Sequence, residues 1–235
     1  MATTARTMRE RARAELVGEI KAAARRQLGA DGASALSLRA IARELEMASS
    51  AIYRYFPSRD QLLTALIVDA YDAIGEIAER ADARHADDEP GARWATVCRA
   101  VRAWALANPH EYALVYGSPI PGYRAPADTV AHAARVANVL AGLVLAGTTA
   151  LTPAPGRDDD DDGIDGALQA TALRELMVGV PPDVVTRSLM AWTELFGLIS
   201  FELFGHLVGS VTDYDAFFDR SIELMGRFVG FDDPR

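Results

Sequence analysis

Three observations predict an all-α fold. Apolar residues recur at spacings of three and four almost throughout, no segment sustains the apolar–polar alternation that a strand requires, and glycine or proline stands where the periodicity lapses. The 235 residues, 50% hydrophobic and 24% charged, exclude disorder over the whole length and suffice for one large domain or a small one joined to a larger. In the first segment Leu16, Ile20, Ala24 and Leu28 form a stripe that Gly29 and Gly32 stop. Ser37 is placed as N-cap of a short helix with Leu38, Ile41, Ala42 and Leu45 inward, ending near Glu46. A second short helix is expected over 49–55. Pro57 then halts the chain, and Ser58 with Gln61, spaced as a capping box, restarts it as a long helix through Leu63, Leu66, Ile67, Ala70, Ile74 and Ile77 to about Arg84.

Beyond the His85–Gly91 break, Trp94, Val97, Val101 and Trp104 mark a helix that ends at Asn108-Pro109, and a short helix from Pro109 to Tyr116 follows. Helix is expected again over about 126–150 and 166–178, with the polar stretch 152–163 as a loop between them. Pro181-Pro182 open a helix to about Leu207 that is apolar around nearly its whole circumference and so must be covered on all sides. The last helix, about 213–229, carries two stripes: Phe218, Ile222, Met225 and Val229, and, displaced, Phe217, Leu224 and Phe228. One stripe serves a monomer's core, and the second implies a partner subunit.

Charge divides the chain. The first sixty residues hold eleven Lys and Arg against seven acids, a net +4, whereas the remainder carries −13 of the overall −9. A basic head on an acidic body suits a polyanionic partner at one end only. The lone Cys98 forms no intramolecular disulfide and no secretory signal is legible, so a cytoplasmic location is expected. The uncharged run between Arg135 and Arg157 is broken by Thr148, Thr149, Pro153 and Pro155, and is read as a buried helix running into a loop; no membrane partner is expected.

Two short helices joined by a tight turn, after a longer basic helix, match the helix-turn-helix arrangement in which the second short helix enters the DNA major groove. Its side chains suit that place. Ser49, Ser50, Tyr53, Arg54 and Tyr55 are phosphate and base-edge donors, Ala51 lies among them, and Ile52 holds the helix to its scaffold. Ser37 and Arg39 open the preceding helix, and Arg59 adds a charge beside free backbone amides as a phosphate clamp.

The run Leu36-Ser-Leu-Arg-Ala-Ile-Ala-Arg-Glu-Leu-Glu-Met-Ala-Ser-Ser-Ala-Ile-Tyr-Arg-Tyr-Phe-Pro-Ser-Arg-Asp-Gln-Leu-Leu63 closely resembles the DNA-binding segment of the tetracycline-repressor (TetR) family of bacterial transcriptional regulators. Two positions depart from the family pattern: Glu46 stands where glycine is usual in the turn, so a left-handed residue costs more here, and Ala48 stands where Ser or Thr is common, which leaves Ser49 as the expected cap. A weaker resemblance, through Trp104–Tyr116, Trp192–Gly197 and Ile199–Leu203, is to the family's ligand-binding domain named for a Trp…His-Gly signature, with Phe196 in place of the histidine. The resemblance implies an N-terminal three-helix DNA-binding domain over 1–58 and a larger helical domain over 59–235 for effector binding and dimerisation. It implies a homodimer on a double-stranded operator, a small-molecule effector of unknown identity, and repression as the usual mode.

Candidate pocket residues are Trp104, Tyr112, Tyr116, Tyr123, His132, Trp192 and Phe196, with Cys98 beside them, since a pocket needs apolar walls and a few polar groups. Dimer candidates are Trp192, Phe204, Phe217, Leu224 and Phe228. Asp158 to Asp162 lack the spacing of a calcium loop, and Glu202 with His206, one turn apart, reads as a buried hydrogen-bonded pair rather than as metal ligands. No metal and no cofactor are expected. Enzyme motifs for acyl transfer, phosphate binding, dinucleotide binding and zinc proteolysis are missing from the sequence, so a regulator is favoured over a helical ligand-binding or enzymatic protein and over a nonspecific DNA-compacting one.

Overall fold

The structure is a computed structural model, which describes residues 2–147, 177 and 179–231. Its described residues form helices without a strand: α1 Ala2–Asp31, α2 Leu38–Glu44, α3 Ser49–Ile52, α4 Arg59–Arg84, α5 Pro90–Ala107, α6 Pro109–Tyr116, α7 Thr129–Ala133, α8 Arg135–Gly147, α9 Pro182–Leu203 and α10 Tyr214–Val229. The helix expected over 166–178, the loop over 152–163 and Asp158–Asp162 lie outside the described residues. No described helix is long and apolar enough to cross a membrane.

Contacts group the chain into two compact units, Met1–Tyr71 with Asn108–Val130 and Asp72–Ala107 with Ala131–Arg235. The contact units do not divide at the expected 58/59, and α4 contributes residues to both.

The first unit is organised by the stripes legible in sequence. Ile20, Ala24 and Leu28 of α1, Leu38, Ile41 and Ala42 of α2, Ile52 of α3 and Leu63, Leu66 and Ile67 of α4 are buried together. Several of its cations are tied up internally. Lys21 and Arg25 both reach Asp69 at 2.7 Å, and Arg26 reaches Glu44 at 2.6 Å. Gly29 lets the α6 residue His110 lie against α1, where a Cβ would come within 3.2 Å of the ring.

In the second unit α5 packs against α8, α9 and α10. Trp94, Val97 and Val101 of α5, Leu140, Leu143 and Val144 of α8, Val184, Leu195 and Ile199 of α9, and Phe218, Ile222, Met225 and Val229 of α10 form its core. The second stripe of α10 stays outside: Phe217, Leu224 and Phe228 are 39–48% exposed.

Two helix extents differ from expectation. The segment 126–150 is not one helix: it breaks at Ala134 into α7 and α8, which brings His132 and Arg135 together on Asp72 of α4. α9 ends at Leu203 rather than near Leu207. Gly205 at φ 76 stands just past its end, Gly205 N–H donates to the Glu202 carbonyl and His206 N–H to the Phe201 carbonyl, the paired bonds of a glycine-terminated helix. The Glu202–His206 pair is therefore not made. His206 is exposed with its ring 5.1 Å from that of Phe201, and Glu202 is held by Arg102 instead.

Candidate DNA-binding head and effector cavity

The turn between α2 and α3 aims the head. α2 is opened by Ser37, whose hydroxyl accepts from Ala40 N–H at 3.4 Å while its own N–H donates to Gln27. α2 closes with Met47 N–H on the Ala42 carbonyl at 2.8 Å and Glu46 N–H on the Arg43 carbonyl at 3.2 Å. This pair of bonds requires a left-handed residue at Glu46, which has φ 52. A glutamate held there gives up roughly 1–2 kcal/mol relative to glycine, and glycine returns about 0.4–1 of that through its floppier unfolded chain. Glu46→Gly is accordingly expected to stabilise the head by ~0.5–1 kcal/mol, read as a higher urea midpoint with an unchanged m-value.

Ser49 does not cap α3. The N-cap position is Ala48, which offers no side-chain acceptor, and Ser49 is the first helical residue with its side chain exposed. α3 is also shorter than the expected 49–55, with Tyr53, Arg54 and Tyr55 in the hydrogen-bonded turns that follow Ile52. Burial divides the candidate residues. Arg39, Ser49, Ser50, Tyr53 and Arg54 are exposed, Ser37 and Ala51 are half-buried, and the fully buried Ile52 anchors the helix. Tyr55 packs against the head core, with the Arg13 guanidinium 5.2 Å above its ring. Arg59 is engaged within the chain: it donates to the Ala33 carbonyl at 2.8 Å and meets Asp60 at 3.4 Å, fastening the α1–α2 connection to the start of α4. α4 itself is capped as expected, Gln61 N–H donating to Ser58 Oγ at 3.1 Å.

The expected pocket residues are divided between the two units. Tyr112, Tyr116 and Tyr123 belong to the first unit, where Tyr116 packs edge-on to Tyr71 with centroids 6.1 Å apart and Tyr123 shares a 2.8 Å hydrogen bond with Thr64. Burial pushes the Tyr116 phenol well above the usual range, with Tyr71 and Tyr112 beside it adding to the shift. His132 pairs with Asp72 at 2.7 Å, and Arg135 bridges Asp72 at 2.8 Å and Glu79 at 2.6 Å. Partial burial raises the Asp72 carboxyl, but the hydrogen bonds from His132 and Arg135 outweigh it and hold the group below the carboxylate range. The Arg135 hydrogen bond lowers Glu79 in the same way. This cluster fastens α7 and α8 to α4, and Gly75 gives Arg135 room, because a Cβ there would stand 2.7 Å from the arginine's own. Cys98 is fully buried, and burial pushes its thiol up, so it stays a neutral packing residue.

A cavity of about 130 Å³ lies within the second unit, walled by Trp94, Ala137, Leu140, Ala141, Val144, Met177, Val185, Ser188, Leu189 and Trp192. Of the expected pocket residues only Trp192 reaches it, with Phe196 stacked behind at 5.8 Å. Trp104 is half-buried on α5 and does not line it. Trp94 was legible only as a core residue, and its neighbours across the cavity come from two other helices whose apolar residues look alike in sequence. The one hydroxyl in the wall among the described residues, Ser188, already donates to the Val184 carbonyl at 2.7 Å. Among the described residues no charged side chain lines the space. Such a wall favours a neutral, compact apolar guest, since a buried charge without a partner costs several kcal/mol.

Residues 20–66 match the family described as bacterial regulatory proteins, tetR family, and residues 94–225 match the tetracyclin repressor-like C-terminal domain. The chain is 39% identical over 242 residues to the HTH-type transcriptional regulator Rv1816 of Mycobacterium tuberculosis (strain ATCC 25618 / H37Rv), covering 96% of this chain and 97% of the relative. The crystal structure of the regulatory protein SCO4313 is similar at 34% identity and a TM-score of 0.76, covering 92% of this chain and 97% of that one. A tetR-family regulatory protein from Rhodococcus RHA1, 19% identical with a TM-score of 0.63 over 92% of this chain and 98% of its own, shares the fold. The relatives are regulators, not enzymes. The left-handed turn and the exposed face of α3 fall inside the first family match and the cavity inside the second, and a relative this similar spans nearly the whole length: the chain belongs to the tetR family of bacterial transcriptional regulators, with a helix-turn-helix that binds DNA.

Proposed function

We propose that this regulator is a repressor that binds a palindromic operator as a homodimer and leaves it when a small, neutral, largely apolar molecule occupies the cavity walled by Trp94 and Trp192. The observation that carries the DNA reading is the exposure of Ser49 and Ser50 on α3 and of Tyr53 and Arg54 in the turns that follow it, all held by the buried Ile52. In this reading residues 1–58 are the DNA-binding domain, and Ser37, Arg39 and Ala51 complete the contact surface. Tyr55 and Arg59 hold that surface in place from behind, and residues 59–235 bind the effector and the partner subunit. The dimer reading rests on apolar side chains left open on α9 and α10, among them Phe204, Phe217, Leu224 and Phe228 at 39–48% exposure. Trp192 is assigned to the cavity wall. An aqueous monomer gains nothing from such a face, whereas a second copy covers it. Binding to DNA places the protein in the bacterial cytoplasm.

Release follows from linkage. α4 contributes residues to both units, so a ligand that favours one setting of α4 over another changes operator affinity by its differential affinity for the two states.

The test is selection of duplexes from a random pool at about 150 mM salt, where nonspecific phosphate attraction is already weakened. The expected product is a palindrome with half-sites about one helical turn apart or slightly more, ~34–36 Å. No enrichment by folded, dimeric protein would sink the reading.

A further inference from the structure

The buried stripe of α1 does not stop where the core stops; it changes chemistry. Leu28, Ala24, Ile20 and Leu16 follow one another at spacings of four, and the same face continues toward the N-terminus at spacings of three and four as Arg13, Arg9 and, by sequence, Arg6. Packing against the head core begins at Leu16 and Val17, whereas residues 8–15 are exposed. Of the two acids of that segment Glu15 falls outside the spacing, whereas Glu10 stands three residues from Arg13 and four from Arg6, so the inward-facing edge of the overhanging turns carries three arginines against one acid and is basic on balance. The Arg13 guanidinium over Tyr55 fixes where this edge lies: beside the turn that follows α3, at the margin of the surface formed by Tyr53 and Arg54. At 1.5 Å of rise per residue, Arg9 lies about 6 Å farther out along the helix.

We propose that the first turns of α1 form a second DNA contact, in which Arg9 and Arg13 bind the sugar-phosphate backbone flanking the half-site read by α3. The proposal rests on the operator-binding reading above. Charge chooses the occupant. A helix that keeps three arginines where its own core stripe would continue, with Glu10 the one acid on that face, presents an excess of planar donors that match phosphate oxygens two at a time. The partner chemistry is a duplex backbone rather than base edges, so the contact adds affinity without sequence preference.

The experiment uses the full chain and the palindrome recovered by selection, in two duplexes: one with flanks of about one helical turn on each side, and one trimmed to the palindrome. Fluorescence anisotropy is followed between about 50 and 200 mM salt. On the flanked duplex Arg9→Ala is expected to lower the slope of log affinity against log salt by ~1 per subunit, so about 2 per dimer. Arg9→Lys is expected to retain the slope, because the charge remains. On the trimmed duplex the wild type and Arg9→Ala are expected to coincide, and the ratio of operator to scrambled affinity on flanked duplexes stays unchanged in every variant. Arg9 is exposed, so circular dichroism and the melting temperature of its variants serve as a control that the head is folded. An unchanged slope on the flanked duplex overturns the proposal, as does a loss confined to dimer affinity, which would mean that the arginine edge docks on a second copy. Failure to recover any palindrome strikes the operator reading instead, so the two failures are distinguishable.

Discussion

Replacing Tyr53 and Arg54 together with alanine is expected to abolish operator binding while leaving the fold and the dimer intact. Both side chains are exposed, Tyr53 at 41%, and neither contributes to the head core, which at this helix is carried by the fully buried Ile52. The variant therefore keeps its stability to within the ~0.5 kcal/mol usual for surface positions. A good base-edge contact discriminates by about 1–3 kcal/mol, and a dimer loses each contact twice. The combined loss on a palindrome is on the order of 10³-fold or more, with most of the residual binding being nonspecific and steeply salt-dependent. Size-exclusion chromatography with light scattering, anisotropy on the selected duplex and thermal melting separate the outcomes. Retained binding with an unchanged fold would remove α3 from the interface and return the basic head to a solvated surface.

The head and α10 were legible in sequence for a shared reason: their residues are local, and helical periodicity alone assigns each to a face. The two stripes of α10 show this most directly. Phe218, Ile222, Met225 and Val229 are buried, while Phe217, Leu224 and Phe228, one residue away from members of the first set, are 39–48% exposed. Glu46 is a second case, where the resemblance placed it at a turn position usually held by glycine and the backbone adopts φ 52. The cavity is not legible, because its walls come from three helices and Met177 outside them, all residues that any helical core uses. Several of the aromatic and histidine candidates are held by other partners. Tyr112 and Tyr116 stack on each other at 5.1 Å in the first unit, and His132 serves an ion-pair cluster. Arg59 shows the same limit at the level of one side chain. Its position at a helix start suggested a phosphate clamp, but a carbonyl at Ala33, twenty-six residues earlier, takes its guanidinium, and nothing in the local sequence announces that partner. The stop after α9 is written in Gly205, which supplies the left-handed residue that ends it.

Arg102→Ala is expected to be the most destabilising single exchange in the second unit. The Arg102 Nε and Nη2 donate to the two carboxylate oxygens of Glu202, each at 2.7 Å, Nη1 donates to Asp215 at 2.7 Å, and the guanidinium lies 4.9 Å from the centre of the Phe218 ring. One side chain of α5 thus holds both α9 and α10. The two ends of the interaction differ in weight. Asp215 is 87% exposed, so its pair contributes little against water, while Arg102 and Glu202 are only 12% and 13% exposed and lie where an unpaired charge is costly. Alanine at 102 leaves the Glu202 carboxylate nearly buried without its partner and opens a gap beside Phe218. Breaking such a pair from one side costs about 3–5 kcal/mol. For a chain of this size that corresponds to a fall in melting temperature on the order of 10 °C. The damage lies in the stranded charge rather than in a lost attraction, and this has its own signature. Arg102→Met combined with Glu202→Leu removes both charges and keeps the volume, so it should recover most of the stability that Arg102→Ala loses, whereas Glu202→Leu alone should strand the arginine and fall between them. If the double variant is no more stable than Arg102→Ala, the ion pair itself is the source of stability, and the cost of burying it is smaller than its 2.7 Å geometry and near-complete burial imply. Because α9 and α10 also carry the open apolar faces assigned to the dimer, the same series measured at several protein concentrations reads a second quantity. Loosening these two helices should make the melting temperature of Arg102→Ala more dependent on concentration than that of the wild type, since dimerisation then supplies part of the order that the ion pair gave within one subunit.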